Sequence, residues 1–326
     1  MATPEDVLEV TRRIPVPSTV SAHARQFLAM GLSFGGGAML RPERPDRDGW
    51  RAVIAAGDQM LIDFVTALPA EPGSTVETTL AGDVPVFVLQ PDGVTNDPEQ
   101  PIYFDIHGGA MIVGAGEACR ALATKTAAMV RMRTWSVDYR MPPDHPYPAA
   151  LDDCITAYRH LLEFQAPERI VVGGGSAGGN LAAALMLRAR DEGLPLPAAL
   201  VLLSPEADLT ESGDSFATNL GIDCVLTSSL AESIALNAGD HDLTDPYLSP
   251  LFGDFSGGFP PTLLQAGTRD LFLSNTVRLH RRLRAAGVDA ELHVFEAMPH
   301  GGFFGAPEDA DLAQEVRRFI AAHLAK

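Results

Sequence analysis

The chain has 326 residues, 46% hydrophobic and 20% charged, which is enough for a large core and excludes a disordered protein. Its 24 basic and 42 acidic residues give a formal net charge of −18, which argues against nucleic acid as a partner because an acidic surface repels phosphates. The longest uninterrupted apolar run in its helical regions, Leu181–Leu187, is far shorter than the roughly 20 residues of a membrane helix. We therefore expect no membrane insertion, and the acidic start without a secretion signal predicts a cytoplasmic protein.

Taken in chain order, the predicted elements describe an α/β fold. Residues 1–68 show helical spacing with a glycine-rich interruption at 35–37 and offer no strand. Short β-rich runs and amphipathic stretches then alternate, except at 207–245, where only a short helix around 227–237 is predicted. We predict a mostly parallel, eight-stranded sheet flanked by helices, with strands at 75–80, 84–90, 101–106, 133–138, 169–173, 199–204, 262–266 and 291–295. The predicted helices that cover this sheet are 117–131, 149–163, 177–191, 274–286 and 308–324.

The glycine-rich turn between the strand at 169–173 and the helix at 177–191 fits two chemistries. Gly173, Gly175 and Gly178 match the G-x-G-x-x-G dinucleotide fingerprint, and Gly174, Ser176 and Gly178 match the G-x-S-x-G turn that exposes a nucleophilic serine. The fingerprint also needs an acid roughly 20 residues on, whereas Glu206 lies 206 − 178 = 28 residues past the last glycine. A turn that only packs helix on strand is the third interpretation.

The rest of the chain supplies what a serine nucleophile requires. His107-Gly108-Gly109-Ala110 follows a strand, where a loop of this type presents backbone N–H groups to an oxyanion. Asp270 and His300 each follow a later strand, and the carboxyl ends of parallel strands meet at one edge of the sheet. This order favours a serine hydrolase that needs neither a metal nor an organic cofactor.

In several of these motifs the chain resembles the hormone-sensitive-lipase-like bacterial carboxylesterases of the α/β-hydrolase superfamily. The resemblance is carried by residues 107–110, 137–150, 174–180 and 245–251 and by the segments of Asp270 and His300. It implies Ser176 as nucleophile, His300 as base and Asp270 as the acid that orients it. It also implies an oxyanion hole formed by the N–H groups of Gly108, Gly109 and Ala177.

The resemblance further implies a domain organisation and a substrate class. Residues 1–68 would contribute helices to a cap, and residues 69–326 would form the catalytic domain with a cap insertion at about 207–245. The expected partner is a small-molecule ester, and a homodimer is compatible with the resemblance. We expect hydrolysis of short-chain carboxylic esters through an acyl-enzyme. The alternatives are a lactone, carbamate or amide hydrolase, or a noncatalytic ligand receptor on the same scaffold.

Two departures from the family pattern bear on the site. Gly175 stands where relatives commonly carry Asp, and Glu206 stands where many carry an aromatic residue. We expect Glu206 either to bind a polar or cationic group of the substrate or to pair with an arginine of the cap. Phe34 is a further candidate substrate contact, with ordinary cap packing as the alternative.

Other reactive residues have simpler interpretations. His107 is expected to hold its loop by hydrogen bonds, and Asp208 to brace the turn after its strand. The acidic cluster at 240–245 is typical of a solvated turn, so no metal site is predicted there. Cys119, Cys154 and Cys224 are odd in number and widely spaced, which favours neither disulfides nor a metal site.

Overall fold

A computed structural model describes residues 8–31, 42–68, 73–95, 97 and 99–324, and its centre is one eight-stranded sheet. The strands are β1 (Ser74–Ala81), β2 (Val84–Pro91), β3 (Ile102–Ile106), β4 (Arg133–Val137), β5 (Ile170–Gly175), β6 (Ala199–Leu203), β7 (Thr262–Gly267) and β8 (Ala290–Phe295). Their order in the sheet is β1-β2-β4-β3-β5-β6-β7-β8. The pairs β1–β2 and β2–β4 are antiparallel, and every later pair is parallel.

The helices in the described ranges are α1 (Ala22–Met30), α2 (Arg47–Ala67), α3 (Glu117–Val130), α4 (Ala149–Leu162), α5 (Ala177–Asp191), α6 (Ser215–Thr218), α7 (Ala231–Ala238), α8 (Leu273–Ala285) and α9 (Pro307–Leu324). The predicted strands and the five predicted helices that cover the sheet are confirmed, with bounds shifted by at most two residues. The helix predicted around 227–237 begins later, at Ala231. The carboxylate of Glu211 accepts hydrogen bonds from the Ser229 hydroxyl and the Leu230 N–H, which holds the residues before the helix in an irregular conformation.

Alternate side chains of the central strands face two different helical layers. Phe104 and Val172 are fully buried in a cluster with side chains of α4, α5 and α8. Tyr103 and Val171 point to the opposite face, where they pack with α9 and the end of α3. Burial of each such large side chain contributes about 2 kcal/mol, so the two clusters hold the central strands rigidly. No helix in the described ranges is both long and apolar enough to cross a bilayer.

The N-terminal helices pack against loops at the carboxyl edge of the sheet. Trp50 of α2 is 1% exposed and lies in one cluster with Ile112, from the loop after β3, and Leu236 of α7. Phe27 of α1 meets the edge of Phe303 with ring centroids 6.3 Å apart. The segment around α1 therefore contacts the chain between β8 and α9, and α2 contacts the chain between β6 and β7.

Candidate active site

Ser176 occupies a strained turn between β5 and α5. Its φ of 56° and ψ of −125° are rarely adopted by a residue with a side chain. The Ser176 N–H donates to the carbonyl of Leu203 at 2.9 Å, and its carbonyl accepts from the N–H of Asn180 at 3.2 Å. The neighbouring strand and the following helix thus impose the conformation, which is typical of a nucleophilic serine raised above a sheet.

The glycines around Ser176 show which motif the turn requires. A Cβ atom at Gly178 would lie 1.9 Å from the carbonyl oxygen of Ile106, and one at Gly174 would lie 2.4 Å from that of Gly178. A Cβ atom at Gly175 would meet nothing closer than 3.5 Å. The glycines of G-x-S-x-G are therefore required by close backbone packing, whereas the middle glycine of the dinucleotide fingerprint is not.

His300 and Asp270 meet at the carboxyl ends of β8 and β7. The Nδ1 atom of His300 lies 3.1 Å from Oδ1 of Asp270, and the two side chains are 9% and 0% exposed. The ring of Phe272 packs with its plane at 75° to the imidazole, with centroids 4.8 Å apart. In the described part of the chain the Ser176 hydroxyl and the imidazole share no hydrogen bond, a contact that often tightens only when substrate binds.

The surrounding charges set the proton affinity of His300. Burial lowers the pKa of the imidazole, but the carboxylates of Asp270 and Asp223 outweigh it, with Glu206 adding to them when it is ionised, so the pKa is raised above 6.5. Asp270 itself is held by the N–H of Phe272, which donates to its Oδ1 at 2.8 Å. The site therefore stabilises an imidazolium in a setting from which water is largely excluded.

Asp223 is a second buried carboxylate at this site, and the sequence analysis missed it. It is 1% exposed and accepts hydrogen bonds from the N–H groups of Leu271 at 2.8 Å and His300 at 3.3 Å. Asp223 lies in the irregular segment 207–245, where neither periodicity nor a motif gives a signal. Only the folded chain brings it to the residues that follow Asp270 and to His300.

The loop after β3 approaches Ser176 closely and leaves its N–H groups available. A Cβ atom at Gly108 would lie 3.2 Å from the Cβ of Ser176. In the described ranges, the N–H groups of Gly108, Gly109 and Ala177 donate to no backbone or side-chain acceptor. Unused N–H groups beside a serine are the elements of an oxyanion hole.

His107 holds this loop, as predicted. The Tyr139 hydroxyl donates to the carbonyl of His107 at 2.7 Å, and the two rings are stacked with centroids 4.1 Å apart. Burial lowers the pKa of His107 to about 4, so its ring is neutral near pH 7. The ring is bound within its own loop, where its Nδ1 lies 2.8 Å from the carbonyl oxygen of Gly108.

Glu206 lies at the start of the segment that follows β6. Its N–H donates to the carbonyl of Ser176 at 3.1 Å, and its carbonyl accepts from Nδ2 of Asn180 at 2.8 Å. The residue is 1% exposed, and burial raises the pKa of its carboxyl to about 8. The expected pairing with an arginine is wrong for the described residues, because Oε2 of Glu206 has no hydrogen-bond partner there.

Asp208 braces the turn after β6, as predicted. Its carboxylate accepts hydrogen bonds from the N–H and hydroxyl of Thr210 and from the hydroxyl of Ser212. It also pairs with Arg278 at 2.6 Å. Arg278 of α8 is therefore engaged by a buried acid.

The remaining predictions concern residues away from the nucleophile. Phe34 lies outside the described residues. Within the described part of the chain one group of three potential metal ligands occurs, His107, Cys119 and Asp138, with ligand atoms within 4.8 Å of one another. Asp138 already accepts from the N–H of Gly116 at 2.9 Å, and the Cys119 thiol lies 3.6 Å from the Ser136 hydroxyl. Protein hydrogen bonds therefore account for these two ligands.

Comparison with known families agrees with this geometry. The model of an alpha/beta hydrolase fold family matches residues 103–304, which is more than half of the chain. The chain belongs to this α/β-hydrolase family. A crystal structure described as an esterase from the bacterial hormone-sensitive lipase family has 30% identity and a TM-score of 0.80, covering 93% of this chain and 99% of the other. The family identified in the sequence analysis is thus confirmed.

Other relatives are also named as esterases. The crystal structure of esterase E25 has 36% identity and a TM-score of 0.87, covering 98% of this chain and 99% of that one. An esterase of Acinetobacter venetianus is 37% identical over 205 residues, or 60% of this chain and 66% of the relative. The carboxylic ester hydrolase LipN of Mycobacterium tuberculosis is 34% identical over 239 residues, which cover 68% of this chain and 61% of LipN. The chain thus spans slightly less than two thirds of these two curated relatives.

Proposed function

We propose that this protein is a carboxylesterase that cleaves short-chain esters through an acyl-enzyme on Ser176. The observation that carries the proposal is the strained Ser176 turn at the same edge of the sheet as a buried His300–Asp270 pair. The names of the relatives, esterase and carboxylic ester hydrolase, support the same reaction. A dinucleotide site is disfavoured because Gly175 need not be glycine for backbone packing.

In the proposed mechanism His300 removes the proton from the Ser176 hydroxyl as its oxygen attacks the ester carbonyl. The N–H groups of Gly108, Gly109 and Ala177 receive the negative charge that develops on the carbonyl oxygen. His300 then protonates the leaving alcohol, and a water activated by the same ring releases the acid from the acyl-enzyme. Each half of the reaction passes through an imidazolium.

Asp270 and Asp223 have separate roles in this mechanism. Asp270 accepts the Nδ1–H of His300 and keeps the other ring nitrogen free to act as base. Asp223 is a positioning residue, because it binds the backbone of His300 and of Leu271. Both negative charges stabilise the imidazolium, which lowers the barrier for proton transfer.

A cap formed by α1, α2 and the segment 207–245 is part of the proposal. Its support is the packing of Trp50 against Ile112 and Leu236, and an apolar cluster that joins Met111 and Ala177 to Leu230 and Ile234. A roofed pocket favours soluble esters, so we expect acyl chains of about two to six carbons to be preferred over ten or more. On the resemblance alone, Phe34 remains a proposed substrate contact.

Replacing the nucleophile tests the proposed function. We expect Ser176→Ala to reduce kcat on a p-nitrophenyl ester by at least about 10⁴-fold in a folded protein. A serine-directed organophosphate should label Ser176 of the wild type and nothing in the variant, as read by mass spectrometry of peptides. Labelling at another residue, or full activity of the variant, contradicts the assignment.

Lactones, carbamates and amides undergo the same acyl transfer, and a panel of these compounds beside esters would rank them. A cytoplasmic location and a homodimer stay predictions. Sedimentation velocity tests the homodimer directly.

A further inference from the structure

We propose that the Glu206 carboxyl is a specificity site that hydrogen-bonds a hydroxyl group carried by the substrate. The proposal rests on the function proposed above and narrows the substrate class to hydroxylated esters. Three features of Glu206 carry it: its position, its lack of a partner, and the charges around it.

The position of Glu206 is fixed by the nucleophile turn itself. The Glu206 N–H donates to the carbonyl of Ser176, and the side chain of Asn180 in α5 binds the Glu206 carbonyl. Three residues further on, Leu209 belongs to the apolar cluster that also contains Ala177 and Phe272. The backbone of Glu206 therefore adjoins the residues that surround the serine, and its carboxyl is close enough to influence the proton affinity of His300.

The carboxyl of Glu206 has an unused hydrogen-bonding atom. Oε2 is fully buried, and across the described ranges it has no hydrogen-bond partner. The hydroxyl of Ser204, on the same turn, is also buried and unpaired there. A buried polar group without a partner destabilises the fold, and the Glu206 carboxyl belongs to a residue bonded to the nucleophile turn, so it is available to pair with a group of the substrate.

The surroundings favour a neutral hydroxyl over a charged group. An ammonium beside Glu206 would repel the imidazolium that His300 must become, and a carboxylate would face the charges of Asp223, Asp270 and Glu211. Burial raises the pKa of Glu206 to about 8, so near pH 7 the group is mainly a carboxylic acid that both donates and accepts. A hydroxyl group has the same two capacities.

Matched pairs of esters that differ by one hydroxyl test the proposal. Ethyl 3-hydroxybutyrate against ethyl butyrate places the hydroxyl on the acyl side, and 4-hydroxybutyl acetate against butyl acetate places it on the alcohol side. We expect the wild type to favour the hydroxylated member of at least one pair by about tenfold in kcat/KM, as one hydrogen bond provides. Glu206→Met, of similar length but without donor or acceptor, should abolish that preference.

A second variant and a control make the outcome specific. Glu206→Gln keeps the shape and hydrogen-bonding capacity, so it should retain part of the preference, within about threefold of the wild-type ratio. Glu211→Gln is the control, since both oxygens of Glu211 are already bound, to the Ser229 hydroxyl and the Leu230 N–H. It should leave the ratio within about twofold.

The two proposals fail in different ways. Equal ratios for wild type and Glu206→Met in both pairs overturn the role of Glu206, while turnover of the plain esters upholds the carboxylesterase. Failure of the wild type to hydrolyse any of the four esters overturns the proposed function. If Glu206→Met does not fold, as judged by circular dichroism, a wild-type ratio near one in both pairs overturns the specificity site by itself.

Discussion

His300 is surrounded by three acidic side chains, and its titration sets the acid limit of the proposed reaction. Burial lowers the pKa of the imidazole, but the carboxylates of Asp270 and Asp223 raise it above 6.5, and Glu206 adds to this effect when it is ionised. The base must be neutral, so kcat/KM should fall as the pH drops through this raised pKa. A profile of kcat/KM between pH 5 and 9 should therefore have its acid midpoint above about 6.5.

Replacing Asp270 tests whether this acid orients His300 and raises its pKa. Asp270→Asn removes the anionic partner of the imidazole, so the activity should fall by about 10⁴-fold. Any residual activity should show an acid midpoint at lower pH than that of the wild type. A loss below tenfold would assign the orienting role to another carboxylate, and Asp223 would be the first to test.

Asp223→Asn separates electrostatic positioning from plain structural support. Asp223 accepts the N–H groups of His300 and Leu271, and its charge raises the pKa of His300. We expect kcat/KM to fall by about tenfold, the loss typical of a charge-assisted hydrogen bond, with the acid midpoint moved to lower pH. A fall in activity with an unmoved midpoint would mean that Asp223 only supports the backbone.

At the scale of elements, two glycines of the β5–α5 turn should respond differently to replacement by alanine. Gly178→Ala would place a Cβ atom 1.9 Å from the Ile106 carbonyl, so the free energy of unfolding should fall by at least about 3 kcal/mol. Gly175→Ala meets only ordinary contacts and restricts the unfolded chain, so it should change stability by about +0.4 to +1 kcal/mol. Urea unfolding of both variants measures the difference, and equal effects would contradict the packing argument.

Periodic patterns carried most of the fold prediction. The sheet-covering helices have helical spacing because each buries one face, and the central strands are short apolar runs buried on both faces. The sequence therefore locates these elements within two residues. The start of α7 was less accurate because it depends on Glu211, which lies outside the helix and binds Ser229 and Leu230.

For the site, the sequence could associate Ser176, Asp270 and His300 because each follows a strand whose carboxyl end meets the others. It could not find Asp223, whose role depends on a tertiary contact made by an irregular segment. Nor could it foresee that Arg278 would bind Asp208, or that Oε2 of Glu206 would have no partner in the described ranges. Which of several acids pairs with a given arginine depends on the distances between them in the folded chain. Sequence spacing does not give those distances outside helices and strands.

At the scale of the whole molecule, the parallel part of the sheet acts as the frame of the site. β3, β5, β7 and β8 end at the same edge, so loops distant in sequence reach Ser176 together. The rigid layers lie on the two faces of the sheet, while the proposed catalytic residues belong to the edge. Substitutions in the edge loops are thus expected to change specificity before they change stability.

The segment before α1 and the start of that helix are fastened to the far end of the chain. Arg269 donates to the carbonyl of Pro15 at 2.7 Å, the Thr19 hydroxyl donates to Glu296 at 2.8 Å, and the Ser21 N–H donates to Glu308 at 2.6 Å. These anchors flank the stretch that carries His300, so this stretch and the N-terminal segment should open as one cooperative unit.

We therefore expect the N-terminal segment to determine how readily the stretch that carries His300 unfolds. Deleting residues 1–31 should accelerate hydrogen exchange of the amides at 296–306, and activity should be lost on warming before the sheet melts. In the full-length chain the temperature at which activity is lost should lie closer to the temperature at which the sheet melts. The thermal stability of the His300 stretch would then depend on the N-terminal anchors, and that of the sheet on its own packing.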